Sequence, residues 1–199
     1  MKANSSTVLT GNAAGGSVTL RHPRWADFEA WVALRRENRA FLAPWEPLWN
    51  EAHLSRASYR ARLSRFKKMT SSGEAFPFHI FRNEDNCLIG ACNLTHIDRI
   101  AQSVKLGYWI GEHFNRQGFA RASVGAACKF SFETLGLHRV EAAVKPDNEA
   151  SIRVLGTLGF MHEGCARGYL KINGGWADHD IYAKLSLSLI HIPSPRDRG

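Results

Sequence analysis

The sequence predicts an α/β domain with a mixed central β-sheet flanked by helices, in the order βααβββαβαββ. Three observations carry this. The 199 residues are 44% hydrophobic and 22% charged, the balance of a chain that buries one sizeable core. Segments that alternate with period two are interspersed with segments of 3.6-residue spacing. Turns rich in glycine, proline and asparagine separate them.

Residues 1–17 are rich in Ser, Gly, Ala and Thr and read as a flexible N-terminal extension. They lack the apolar run of a secretion signal. The domain is expected over 18–185. Thr19 to Arg21 reads as a short strand. From Asp27 to Arg39 the helical spacing puts Phe28, Trp31, Val32 and Arg35 on one face. Pro44 and Pro47 then break regular structure and leave an aromatic loop with Phe41, Trp45 and Trp49. Helical spacing returns from Ser55 to Met69 and stops at Gly73. Phe76 to Phe81, Cys87 to Ile97 and Val104 to Ile110 read as successive strands. A turn cluster at 83–86 joins the first two. Phe119 to Leu135 is a helix with small residues on its packing face, ended by Gly136. A strand from His138 to Val144 and a helix from Ala150 to Leu158 follow. Two closing strands, Phe160 to Tyr169 and His179 to Leu185, flank the turn signal Asn173-Gly174-Gly175. Residues 186–199, with Pro193 and Pro195, read as a disordered or non-native tail.

Lys and Arg total 26 against 18 Asp and Glu, a net charge of +8. A basic surface attracts polyanions: nucleic acid, an acidic membrane or a phosphorylated cofactor. The densest basic stretch, Arg56, Arg60, Arg62, Arg65, Lys67 and Lys68, reads as a solvated helix face. The four cysteines form no C-x-x-C pair, which argues against zinc and for reduced thiols in the cytoplasm. No run approaches the roughly 20 apolar residues of a membrane span.

The chemistry concentrates in two places. Leu106-Gly107-Tyr108-Trp109-Ile110 is a strand, and Asn115 to Arg121 is a loop that opens a helix. A helix N-terminus presents unpaired N–H groups and partial positive charge, so it receives anions. Gly118 would let the backbone approach a phosphate, and Arg116 and Arg121 would add charge-assisted contacts. The loop is neither a P-loop nor a dinucleotide fingerprint. About 30 residues on come Pro146-Asp147-Asn148-Glu149-Ala150-Ser151 and a second helix, followed by Gly159-Phe160.

Together the two pieces resemble the central signature of the GNAT superfamily of acetyltransferases. That resemblance implies a GNAT fold, acetyl-CoA as co-substrate and no metal. By motif, the splayed strand is Tyr108, Trp109 and Ile110. Arg116, Gln117, Gly118, Phe119, Ala120, Arg121 and Ala122 form the pyrophosphate cradle, and Asn148 and Ser151 lie near the thiol. The resemblance runs from about Val18 to Leu185. Asn38 to Pro47, Gly159 to Gly164 and Tyr169 to His179 bring it nearest to the branch that acetylates the N-terminal alanine of a ribosomal protein. A ribosomal-protein N-terminus is then the expected partner, with weak ribosome or RNA contact through the basic surface and no membrane partner.

Three departures stand out. Asn115 occupies a position usually held by Gln or Arg. Leu155 stands where many members carry the tyrosine that protonates the thiolate, so Ser151 is the expected acid. Tyr169-Leu170 replaces a neighbourhood that holds a carboxylate in related enzymes, which leaves the base open. Glu163, Asp180 and Glu141 are the candidates for a water relay, Glu163 first. Phe41, Trp45, Glu46 and Trp49 are expected to wall the acceptor site, with Glu46 meeting the ammonium. Two other readings stay open: a small-molecule amine as acceptor, and a non-catalytic module of the same fold that binds ribosome or RNA.

Overall fold

The computed structural model describes residues 6–186. It holds one eight-stranded sheet in the order β1-β2-β3-β4-β5-β6-β8-β7. The elements are β1 (Val8–Ala13), β2 (Gly16–Arg21), α1 (Phe28–Glu37), α2 (Arg39–Leu42), α3 (Arg56–Ser72), β3 (Phe76–Arg82), β4 (Cys87–Asp98), β5 (Ser103–Ile110), α4 (Phe119–Lys129), β6 (Arg139–Val144), α5 (Glu149–Thr157), β7 (Met161–Ile172) and β8 (Gly175–Leu185). The α/β class and mixed sheet agree with the expectation; the order gains one strand at its start.

That strand corrects the reading of 1–17 as a flexible extension. Val8 to Ala13 pair antiparallel with β2, from Val8 opposite Arg21 to Ala13 opposite Gly16. The Ala14-Gly15 turn between them is anchored by the Gly15 N–H, which donates to the Gln117 carbonyl at 2.9 Å. Ser, Gly and Ala dilute the β-prone Val8-Leu9-Thr10, so the strand depends on cross-strand partners that no local window shows. Residues 1–5 and the expected tail beyond Ser186 lie outside the described residues.

Two cores flank the sheet. On one face, Val18, Leu20, Phe78, Ile80, Val104, Leu106 and Val140 pack against Phe119, Val124 and Ala127 of α4 and Leu155 of α5. On the other, Phe81 and Leu88 meet Phe28, Trp31, Val32 and Leu34 of α1 and Tyr59 of α3. The helix ends follow the sequence. Ser55 caps α3, accepting from the Ser58 N–H at 3.1 Å, and Gly73 closes it in the left-handed region. The Asn173-Gly174 turn takes positive φ at both residues, 45° and 85°, the geometry a two-residue hairpin requires. Among the described residues no helix is long and apolar enough to cross a membrane.

Candidate active site

The functional geometry begins where β5 and β6 separate. Among the described residues they are the one parallel pair, and they pair only at Ser103–Arg139, Val104–Val140 and Lys105–Glu141. From Leu106 to Ile110, β5 follows β4 instead, with Trp109 opposite Ala91 and Ile110 opposite Gly90. Gly90 permits this: a Cβ there would lie 2.2 Å from the Trp109 carbonyl oxygen. The Gly111 N–H then donates to the Ile89 carbonyl at 2.8 Å and draws the strand end further toward β4. The β6-facing edge of Tyr108, Trp109 and Ile110 is thus left without a strand partner. A chain of amides laid in the gap would find backbone donors and acceptors there.

At the mouth of the gap α4 begins. Gly118 caps it with φ of 83°, a left-handed conformation that disfavours any side chain. The sequence reading gave this glycine a phosphate to accommodate; a Cβ at Gly118 would instead sit 3.3 Å from Ala13 and Ala14 of the β1–β2 hairpin. Its smallness serves the turn and that packing, while the first-turn N–H groups of α4 have no partner within the helix, an arrangement that suits an anion. Arg116 and Arg121 are exposed beside them.

Across the gap α5 starts at Asn148, whose Oδ1 accepts from the Ser151 N–H at 3.1 Å. The Ser151 hydroxyl lies 2.9 Å from the Tyr108 hydroxyl. This pairing joins the splayed strand to α5 through side chains, whereas the sequence reading used only the backbone of Tyr108. A tyrosine in a strand of alternating apolar residues reads as packing, so the signal that could have found it was weak. Burial pushes the Tyr108 phenol up to about 12, which keeps it a neutral donor at ordinary pH.

On the opposite face of the sheet lies a cavity of about 340 Å³, lined by Trp31, Arg35, Glu46, Trp49, His53, Arg62, His79, Ala91, Asn93 and Trp109, among others. Trp109 belongs to the splayed strand, so this cavity abuts the gap from the side away from α4. Glu46 is held by the guanidinium fork of Arg35, at 2.6 and 2.8 Å, and by the Trp49 indole N–H at 2.6 Å. The β7–β8 turn is tied to the same segment: the Asn173 N–H donates to the Glu46 backbone carbonyl at 3.0 Å. His53 is pushed down to about 4, first by burial and then by the charges of Arg62 and Arg35, so it is neutral. Trp45 does not line the cavity; its ring lies under the Lys145 ammonium, 5.0 Å from the centroid, just past β6. Phe41, half-buried on α2, is not among the cavity's lining residues.

Glu163, expected as a catalytic carboxylate, is corrected by the structure. Its oxygens lie 2.5 and 2.8 Å from the Arg139 guanidinium at the surface, and Arg139 stands where β5 and β6 are still paired, away from the gap. Arg139 also takes Glu141 at 2.6 Å. Asp180 lies at the open end of β6, opposite Val144, and meets His162 at 3.4 Å. Among the described residues the Ser151 and Tyr108 side chains bond to each other and the Ser151 N–H to Asn148, not to these carboxylates. Among the described residues no group of three His, Cys, Asp or Glu could hold a metal ion.

The Acetyltransferase (GNAT) domain family matches residues 17–161. The chain belongs to this family. It is 35% identical over 161 residues to the [ribosomal protein uS5]-alanine N-acetyltransferase of Escherichia coli, spanning 80% of both chains. Among solved structures, it is similar to Mycobacterium smegmatis RimJ in complex with CoA-disulfide, with TM-score 0.87 and 28% identity over 92% of this chain and 90% of that one. The ribosomal-protein-S5-alanine acetyltransferase of Vibrio fischeri matches with TM-score 0.81 and 30% identity over 86% of this chain and 94% of that one. This GNAT chain is an acetyl-CoA-dependent N-acetyltransferase. The gap between β5 and β6 and the N-terminus of α4 fit that co-substrate, since one leaves amide-pairing edges open and the other presents unpaired N–H groups.

Proposed function

We propose that this GNAT enzyme acetylates the N-terminal α-amine of a protein, with an alanine-first ribosomal protein as the leading acceptor. The observation that carries the reading is the cavity behind Trp109, lined by aromatic rings and by the Glu46 carboxylate. Glu46 receives three hydrogen bonds, two from Arg35 and one from Trp49. A carboxylate offers about four acceptor positions, so one remains for an incoming ammonium. A cavity of this size suits a chain end better than a bulky polycation. The names of the E. coli and V. fischeri relatives support alanine as the first residue.

Acetyl-CoA, when bound, supplies the thioester that activates the acetyl group. The first-turn N–H groups of Phe119, Ala120 and Arg121, backed by Arg116, Gln117 and Ala122 in the same segment, hold its pyrophosphate. The open edge of Tyr108, Trp109 and Ile110 pairs with its pantetheine amides, and one N–H there faces the carbonyl oxygen as charge develops. Asn148 orders the start of α5 and so sets the Ser151 hydroxyl. Ser151, hydrogen-bonded to Tyr108, donates to the departing thiolate; Tyr108 thereby serves in place of the tyrosine missing at Leu155. Glu46, Trp49 and Trp109 orient the amine, and Trp45 under Lys145 borders the entrance. The outer face of α3, where Arg60 stacks 5.1 Å over the exposed Trp25, is the surface that would meet ribosomal RNA.

The test is acetyl transfer from acetyl-CoA to synthetic peptides that begin with Ala, Ser or an unrelated residue, followed by thiol release. The Ala peptide is expected to react fastest. Release with small amines and none with any peptide would overturn the acceptor assignment.

A further inference from the structure

The acceptor cavity contains a buried ion-and-histidine cluster that the reaction as described does not use. His79 and Asp27 are 4% and 5% exposed. The His79 Nδ1 lies 3.3 Å from Asp27 Oδ2. Asp27 also accepts from both arms of the Arg21 guanidinium, at 2.6 and 2.8 Å, and from the Arg24 N–H at 2.8 Å. Burial alone would raise this carboxyl, but the bonds from His79, Arg21 and Arg24 outweigh it and hold Asp27 well below the ordinary range. An ionised Asp27 accepts only, so His79 carries its hydrogen on Nδ1 and leaves Nε2 as a basic lone pair. That nitrogen takes no hydrogen bond from the described residues, nor is it sealed away as a buried unpartnered atom. The ring lines the cavity.

The position fits a proton acceptor. His79 pairs with Ala91, and Ala91 pairs with Trp109 on the splayed strand. This row is two strand spacings wide, about 10 Å. At its middle Ala91 presents only a methyl group, and all three residues line the one cavity, whose space connects the histidine to Trp109. The charged or titratable groups facing His79 are Asp27 before α1, Arg21 on β2 and Arg62 on α3. Arg35, Glu46 and His53 line the rest of the cavity. Burial, Arg21 and Arg62 favour the neutral ring, against the pull of Asp27.

We propose that His79, oriented by Asp27, takes the proton of the acceptor ammonium through cavity water, making the pair the general-base relay of this enzyme. The proton passes from the ammonium nitrogen through water to Nε2, and from there to bulk solvent at the cavity mouth. The freed lone pair forms the new C–N bond as the C–S bond breaks. The thiolate leaves with that electron pair and takes up the second nitrogen-borne proton by way of Ser151 and solvent. The proposal rests on reading the cavity as the acceptor side. Its test uses whichever amine the unsubstituted protein acetylates, peptide or small molecule, so a wrong acceptor class leaves the test intact.

The experiment is the pH profile of kcat/KM for the amine, with acetyl-CoA saturating, in the unsubstituted enzyme and in His79→Asn. Asparagine keeps an N–H for Asp27 and removes the base. With the relay intact, the rate should stay level down to the acid side of the ordinary histidine range. In His79→Asn the acid limb should move up to the amine's own pKa, near 8 for an α-amine, a loss of about 10-fold at pH 7 and about 100-fold at pH 6 that closes by pH 9. The KM for acetyl-CoA should not change. Ala91→Val leaves the dyad in place and narrows the water path; it should show the same loss, and it decides the matter if His79→Asn does not fold. A limb already at the amine pKa in the unsubstituted enzyme, or an unchanged profile in either variant, overturns the assignment.

Discussion

Removing the Tyr108 hydroxyl isolates one step of the reaction. In the structure this hydroxyl lies 2.9 Å from that of Ser151, at the gap between β5 and α5. Tyr108→Phe deletes one oxygen and keeps the ring that packs against the core. A neutral hydrogen bond contributes about 1 kcal/mol to stability, so Tm should fall by roughly 2–4 °C for a chain of this size. The effect on turnover should be larger. If Ser151 donates to the thiolate while Tyr108 holds Ser151, the donor loses its orientation when charge develops. A loss of 10- to 100-fold in kcat, about 1.4–2.7 kcal/mol of barrier, is expected. Acetyl-CoA affinity should change by less than about threefold, because in the proposed reading the pyrophosphate and pantetheine contacts are made by backbone groups that the substitution leaves in place. Ser151→Ala should show the same pattern. The decisive reading is the double variant, which should be no slower than the worse single one, since two groups acting as one unit are not additive. The assay is thiol release under acetyl-CoA saturation, with affinity measured separately by calorimetry. The phenol is pushed up to about 12, so the unsubstituted enzyme should show no alkaline limb from Tyr108 below about that pH. Losses that multiply in the double variant, or an unchanged kcat in either single one, would refute the idea of a linked donor pair.

Two further outcomes follow from the site. Gly118→Ala places a Cβ at φ 83° and 3.3 Å from Ala13, so it should cost about 1–2 kcal/mol and, by shifting the α4 N-terminus, weaken acetyl-CoA binding roughly tenfold by titration calorimetry; unchanged affinity would remove this loop from the cradle. Glu163→Gln breaks a surface pair with Arg139 away from the gap, so kcat should stay within twofold of the unsubstituted enzyme; a tenfold drop in thiol release would return Glu163 to the reaction.

Much of the site was legible in the sequence because it is made of backbone. A loop that opens a helix leaves unpaired N–H groups at its first turn, which is a backbone feature that a sequence shows. Asn148 three residues before Ser151 is a helix cap readable from spacing alone, and its bond to the Ser151 N–H is present. The strand β1 was not legible, since its Ser- and Gly-containing sequence forms a strand only when β2 lies beside it. Glu163 looked available because a sequence does not show that Arg139, 24 residues earlier, turns its fork onto it.

The sequence by itself determined the α/β class, the helix caps, the hairpin turn at Asn173-Gly174 and the two motifs of a GNAT enzyme, because each is assembled from short local patterns even where, as with the two motifs, those patterns lie about 30 residues apart. Only the tertiary structure decided which side chains meet. Tyr108 reaches Ser151 across 43 positions, Arg35 grips Glu46 across 11, and His79 meets Asp27 across 52. Such contacts depend on strand register and on how far β5 leans toward β4 at Gly90. These follow from packing the whole sheet between its two layers of helices, and no local pattern of residues encodes them.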